Sequence, residues 1–171
     1  MPVSKLLFIV LWFAASAPIK SAEEIPETYR LVGTGCLSVL FWDIYNIQLG
    51  APDGKYRTYQ PFALEFQYLR SVDRETIVKV SVEEIQQQSN FHSHVLADWQ
   101  MQLVQIFPDI KKGDELIGLY DPQMPSQFFL NGTSIGEIDD ADLSRHFFDI
   151  WLSEDTSKPQ LRLQLLGRKS L

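Results

Sequence analysis

Gln127–Gly167 reads QFFLNGTSIGEIDDADLSRHFFDIWLSEDTSKPQLRLQLLG. Asn131-Gly132 between apolar flanks supplies the two positive-φ residues of a tight hairpin turn. Asp139 or Asp140 caps the helix that follows, and acidic residues in its first turn suit the helix dipole. That helix carries Phe147, Phe148, Ile150, Trp151 and Leu152. Such a surface has to be buried, so the hairpin and this helix close a core together. The tail is ambiguous. Ser157-Lys158-Pro159 opens a short helix ending at Leu166 with Gly167 as its stop, yet Leu161, Leu163 and Leu165 alternate with polar residues as a strand would.

Working back from the hairpin, Asp121-Pro122 and Pro125 bound a loop, Glu115 to Tyr120 reads as a strand, and Lys112-Gly113-Asp114 as a turn. Ser81-Val82-Glu83-Glu84 fits a capping box. The helix behind it runs to Phe107, where Pro108 stops it, with a break expected at Ser89-Asn90. Ile85, His92, Leu96, Trp99, Leu103 and Ile106 form its buried stripe. Ile77 to Val80 is a short β-prone stub. Phe62, Leu64, Phe66 and Tyr68 alternate with Ala63, Glu65 and Gln67, an antiparallel strand with one wet face. The loop from Gly50 to Arg57 makes a hairpin-like connection.

Cys36 to Leu49 has strand composition throughout, with apolar residues on both faces at its centre. It is either a central strand covered on both sides or one whose inner face lines a cavity. Leu40 and Trp42 on this strand, opposite Trp99 and Leu103 on the long helix, would enclose an apolar cavity; close packing is the alternative. Tyr29 to Val32 is a possible first strand. Gly33-Thr34-Gly35 lacks the third glycine and following helix of a phosphate loop, and marks a bend or a close backbone approach.

The chain has 171 residues, 45% of them apolar, enough for one well-filled domain. Fifteen Lys and Arg against 22 Asp and Glu give a net charge of −7, which argues against a nucleic-acid partner. Lys5 followed by the apolar run Leu6–Ala15 reads as a secretory signal over residues 1–22, too short to span a bilayer. Residues 23–171 then form a single periplasmic or secreted domain with no membrane span. The lone Cys36 excludes an internal disulfide and is best read as a small buried hydrophobe.

Motifs for chemistry are sparse. His92 and His94 lie two apart, not at the i, i+4 spacing of a zinc helix, and His146 is isolated. Asp139, Asp140 and Asp142 lack the spaced loop of a calcium hand, and capping accounts for them. Asn131-Gly132-Thr133 matches a glycosylation sequon in form, but turn chemistry explains the asparagine. No metal, cofactor or catalytic motif is expected.

The later two thirds of the chain resembles the chalcone isomerase-like family, specifically its bacterial secreted branch. The likeness is carried by Phe107-Pro108-Asp109, Gly113-Asp114, Phe128-Phe129-Leu130-Asn131-Gly132, Ile135-Gly136, Phe147-Phe148-Asp149-Ile150-Trp151-Leu152, Thr156-Ser157, Leu161-Arg162 and Leu165-Leu166-Gly167. More loosely, Gly33-Thr34-Gly35 and Ile44-Tyr45 fit upstream. The resemblance implies an α+β open-faced β-sandwich: a long antiparallel sheet with helices packed on one face and a ligand cleft between them. It also favours a helix at Pro159–Leu166.

Genuine chalcone isomerases use an arginine and a threonine on the early strands, with a tyrosine and a lysine at the start of the long helix. These donors would stabilise an enolate. Here the corresponding regions read Cys36-Leu37 and Leu40, and Val80 to Glu84 holds neither tyrosine nor lysine. No chalcone cyclisation is therefore expected. Fatty-acid-binding relatives hold a carboxylate with an early-strand arginine, also missing, for which Arg70 or Arg162 would substitute. The leading expectation is a non-catalytic domain binding a small apolar or amphipathic, fatty-acid-like molecule through Leu40, Trp42, Tyr68, Arg70, Trp99 and Leu103. The alternatives are an isomerase or lyase using Tyr45, Tyr68 or Arg70, and a protein-interaction domain of the cell envelope with a packed cleft and an exposed apolar patch.

Overall fold

The computed structural model describes residues 25–168; the signal-peptide reading of residues 1–22 lies outside them. Six strands follow one another across a single antiparallel sheet in chain order: β1 (Tyr29–Val39), β2 (Trp42–Pro52), β3 (Phe62–Tyr68), β4 (Glu115–Asp121), β5 (Met124–Leu130) and β6 (Thr133–Ile138). Helices α1 (Arg74–Gln88) and α2 (Ser93–Ile106) connect β3 to its neighbour β4, and α3 (Ala141–Leu152) and α4 (Pro159–Leu165) follow β6. All four helices cover the face that carries Tyr45, Ile47, Leu49, Phe62, Leu64, Phe66 and Tyr68. This is the expected open-faced α+β architecture.

Local chemistry explains most of the boundaries. Asn131 and Gly132 take φ values of 49° and 73° between β5 and β6, as a two-residue hairpin requires. The Asn131 side chain also accepts from the Glu115 amide at 2.9 Å and donates to Asp114 at 2.9 Å, tying this turn to the start of β4. Asp140 caps α3 by accepting from the amides of Asp142 and Leu143. Asp114 accepts from the Lys111 amide, and these bonds together hold its carboxyl below the usual range. Pro159 opens α4, and Gly167 ends it at a φ of 66°.

Four expectations are corrected. The long helix begins at Arg74, not Ser81, because Asp73 accepts from the Thr76 amide at 2.7 Å and Asp109 takes the Arg74 amide. Ser81 lies inside α1 and donates to the Ile77 carbonyl at 2.8 Å. Ile77 to Val80 is accordingly helical. The break falls where expected, with Ser89 to His92 separating α1 from α2. Pro125 lies within β5, so Asp121–Met124 is a tight connection.

The fourth correction is the largest. Cys36–Leu49 is a hairpin, turning at Leu40-Phe41 with Val39 paired to Trp42. Leu40 has a φ of 56°, a conformation that costs an L-residue about 1–2 kcal/mol. Only the first central residue is left-handed, the position where this kind of hairpin turn favours glycine. Leu40→Gly is therefore expected to raise unfolding free energy by about 0.5–1 kcal/mol, relief of the backbone outweighing the added freedom of the unfolded chain. Urea denaturation of the two proteins measures it, and a loss of stability would contradict the turn assignment.

The close-approach reading of Gly33-Thr34-Gly35 holds. A Cβ on Gly33 would run into the backbone carbonyls of Gln164 and Leu165, and one on Gly35 into the Leu161 side chain. The two bare positions let α4 lie directly on β1. On the uncovered face Asn46, Gln48, Glu65 and Gln67 sit beside a short apolar row of Ala63, Ile117 and Phe129.

Candidate functional site

Between α1 and the strands beneath it lies a cleft of about 460 Å³. Its floor is Tyr45 on β2, Phe66 and Tyr68 on β3 and Leu116 on β4, with Phe107, Phe147 and Trp151 closing the deep side. Thr76, Ile77, Val80 and Ser81 of α1 form the roof, an i, i+1, i+4, i+5 set on one helix face. Leu37, Val39 and Ile44 stand nearest the β1–β2 turn. A register shift in this hairpin leaves Ile44 unpaired beside Tyr45, and both residues line the cleft.

The polar groups are few and mostly hydroxyls. Trp151 Nε1 donates to the Tyr45 hydroxyl at 2.9 Å. The Tyr45 ring meets Tyr68 edge-on at 5.4 Å and Phe66 at 5.3 Å, so it is held from three sides. Among the described residues the Tyr68 hydroxyl has no hydrogen-bond partner. Burial pushes both phenols well above their ordinary range, and for Tyr45 the neighbouring Tyr68 adds to the rise while the Trp151 bond opposes it. Among the described residues Asp73 contributes the one lining carboxylate, at the edge, where bonds from Thr76 hold it below its ordinary range.

Of the residues expected to bind, Tyr68 lines this cleft and the others do not. Leu40 and Trp42 stand out on the β1–β2 turn, 87% and 56% exposed, beside Phe41 at 96%. The composition of a buried strand had concealed a turn. Arg70 is exposed, its guanidinium 3.9 Å above the Trp42 ring, a cation–π contact next to Ser71 rather than inside the cleft. Trp99 and Leu103 are buried under α2: Trp99 donates to Asp140 at 3.0 Å and packs against Phe91. Arg162 donates to the Leu152 carbonyl and pairs with Glu154, away from the cleft.

Residues that the sequence reading missed, above all Thr76, Ile77, Val80 and Ser81, were hidden by the misplaced helix start. With α1 beginning at Arg74, Thr76, Ile77, Val80 and Ser81 fall together on the side of the helix that borders the cleft. Among the histidines, His92 and His94 are exposed. His146 packs on Phe91, and the His92 and His94 rings stack at 5.7 Å. No group of three or more His, Cys, Asp or Glu converges as a metal site among the described residues. Cys36 is half-buried on the uncovered face, and burial raises its thiol.

A single antiparallel sheet with helices on one face and a hollow between them is the open-faced architecture that the chalcone isomerase resemblance implies. Residues 18–167 match the sequence model of the chalcone isomerase-like family, and the chain belongs to that family. Comparison with curated protein sequences finds no match. Among solved structures, a fatty-acid binding protein of Arabidopsis thaliana is similar, with a TM-score of 0.64 over 83% of this chain and 88% of that one at 14% identity. That likeness is one of fold. No helix among the described residues is long and apolar enough to cross a membrane.

Proposed function

We propose that this protein is a non-catalytic member of its family that holds a small apolar or amphipathic, fatty-acid-like molecule between the sheet and α1. The cleft itself carries this reading. Protein interiors normally pack closed, and a hollow of a few hundred Å³ with apolar walls and a few convergent polar groups is the usual form of a ligand site. The fatty-acid binding described for the Arabidopsis protein supports it. Catalysis is disfavoured by the lining: the phenols are held protonated, and the Asp73 carboxylate is held charged by its capping bonds. Among the described residues no pair there is poised to pass a proton near neutral pH.

By this reading the molecule works outside the cytoplasm, in the periplasm or secreted, and belongs to the bacterial secreted branch of the family. Lys5 and the apolar run Leu6–Ala15 support that address. One observation favours a second reading, a protein-interaction domain of the cell envelope: Leu40, Phe41 and Trp42 form an exposed apolar tip beside the cleft.

Diphenylhexatriene and a fluorescent fatty acid test the first reading. Ile77 is partly buried and faces the hollow, so Ile77→Trp fills it from the roof. This variant is expected to weaken probe binding at least about tenfold, roughly 1.4 kcal/mol, while circular dichroism and thermal midpoint stay close to those of the parent. A filled cleft that binds as well as an open one places the probe elsewhere. Absence of both probe binding and any lipid co-purifying from the native host, by mass spectrometry, would sink the reading.

A further inference from the structure

We infer that the cleft selects an uncharged amphiphile, one whose head presents a carbonyl, ester or hydroxyl oxygen, over the free carboxylate of a fatty acid. The inference rests on the ligand-binding reading above and narrows the chemistry of that site.

Among the described residues no lysine, arginine or histidine lines the hollow, and the one charged residue there is an acid, Asp73. A carboxylate taken inside would lose its hydration without gaining a counter-ion, a cost that unpaired buried charges do not recover. Arg70 and Arg162, the two candidate cations for holding a carboxylate, do not line the hollow. Arg70 lies over Trp42, and Arg162 is bound to the Leu152 carbonyl and Glu154.

What the cleft offers is a pair of phenolic donors. Tyr45 accepts from Trp151 and Tyr68 is unpartnered, so among the described residues neither hydroxyl hydrogen has an acceptor. Both phenols line the hollow with their rings in contact. A neutral oxygen set between them takes up these hydrogens at no charge-desolvation cost. Burial that disfavours a phenolate here disfavours a bound carboxylate for the same reason. The remaining walls, Leu37, Ile44, Phe66, Val72 and Leu116, suit the hydrocarbon part.

The experiment compares ligands of equal chain length by displacement of diphenylhexatriene, a probe with no polar atom, from the protein at pH 8. Dodecan-1-ol and methyl dodecanoate are expected to compete at least about tenfold better than dodecanoate. Tyr68→Phe is expected to weaken the two neutral ligands about fivefold relative to diphenylhexatriene, whose affinity is measured on the same variant. Equal or tighter binding of dodecanoate overturns the inference while leaving a ligand-binding protein in place. Neutral ligands preferred but indifferent to Tyr68→Phe would remove Tyr68 as their donor. If neither diphenylhexatriene nor any of the three ligands binds, the function proposed above fails, and this inference with it.

Discussion

Phe148→Ala is expected to lower the unfolding free energy by about 4 kcal/mol, within the usual range for a buried aromatic cut to a methyl. Phe148 is 1% exposed and meets four other rings: Phe62 edge-on at 5.3 Å, Tyr120 at 5.5 Å, Phe128 stacked at 5.9 Å and Phe147 at 5.5 Å. Beneath it β4 carries Gly118, where even a Cβ would come within 3.0 Å of the ring. The sheet has thinned itself to admit this side chain, so no neighbour is large and mobile enough to refill the space. At about 3 °C per kcal/mol for a domain of this size, the midpoint should fall by about 12 °C. Phe41→Ala serves as the control: Phe41 is 96% exposed, and such surface changes stay within about 0.5 kcal/mol. Similar losses for the two variants would contradict the core described here.

The second large effect is expected from adding one methyl group. Gly33→Ala should cost about 3 kcal/mol, the upper part of the range for overpacking, because the atoms in the way are backbone. The new Cβ would lie 2.5 Å from the Leu165 carbonyl oxygen and 2.8 Å from the Gly167 amide nitrogen, with the Gln164 carbonyl closer still. Side chains can rotate aside, but a helix terminus has to move as a unit. Gly50→Ala, on the strand paired with β1, is the matched control, since its nearest neighbour would be an ordinary 3.9 Å away. Urea midpoints separate the two. Hydrogen exchange locates the damage, with the α4 amides expected to lose protection first in Gly33→Ala. Equal tolerance at both glycines would mean that α4 does not rest on β1.

How far these features could be read in advance depended on how local their cause is. The turn at Asn131-Gly132 and a cap at Asp139 or Asp140 follow from local composition, whereas periodicity leaves the helix at Pro159 open against a strand and the resemblance favours it. The pairing of small residues at Gly33 and Gly35 was legible as a close approach, though not its partner. The β1–β2 turn was not legible, because Leu40-Phe41 carries no glycine, asparagine or proline and reads as strand interior. Reading one strand in place of two moved Leu40 and Trp42 from a solvent-facing tip into an imagined cavity wall. The start of α1 was missed for a related reason: Ser81 and Glu84 imitate a cap, while the operating cap, Asp73, is reinforced by Asp109 from a distant loop. Trp99 and Leu103 were correctly placed inside, but the choice between α1 and α2 as the roof of the cleft is tertiary. The side of the sheet on which Tyr68 lies was legible because strict alternation on β3 fixes its face.

The contact of α4 with β1 also governs the order in which the molecule can be completed. A chain made or threaded across a membrane from its N-terminus presents the first strand early, with the glycine strip at Gly33 and Gly35 bare. Residues 159–165, which cover that strip, emerge after all six strands and the other three helices described. The β1 edge of the sheet thus stays uncovered until every other described element is available, and a copy truncated before Pro159 would keep that flank open for good.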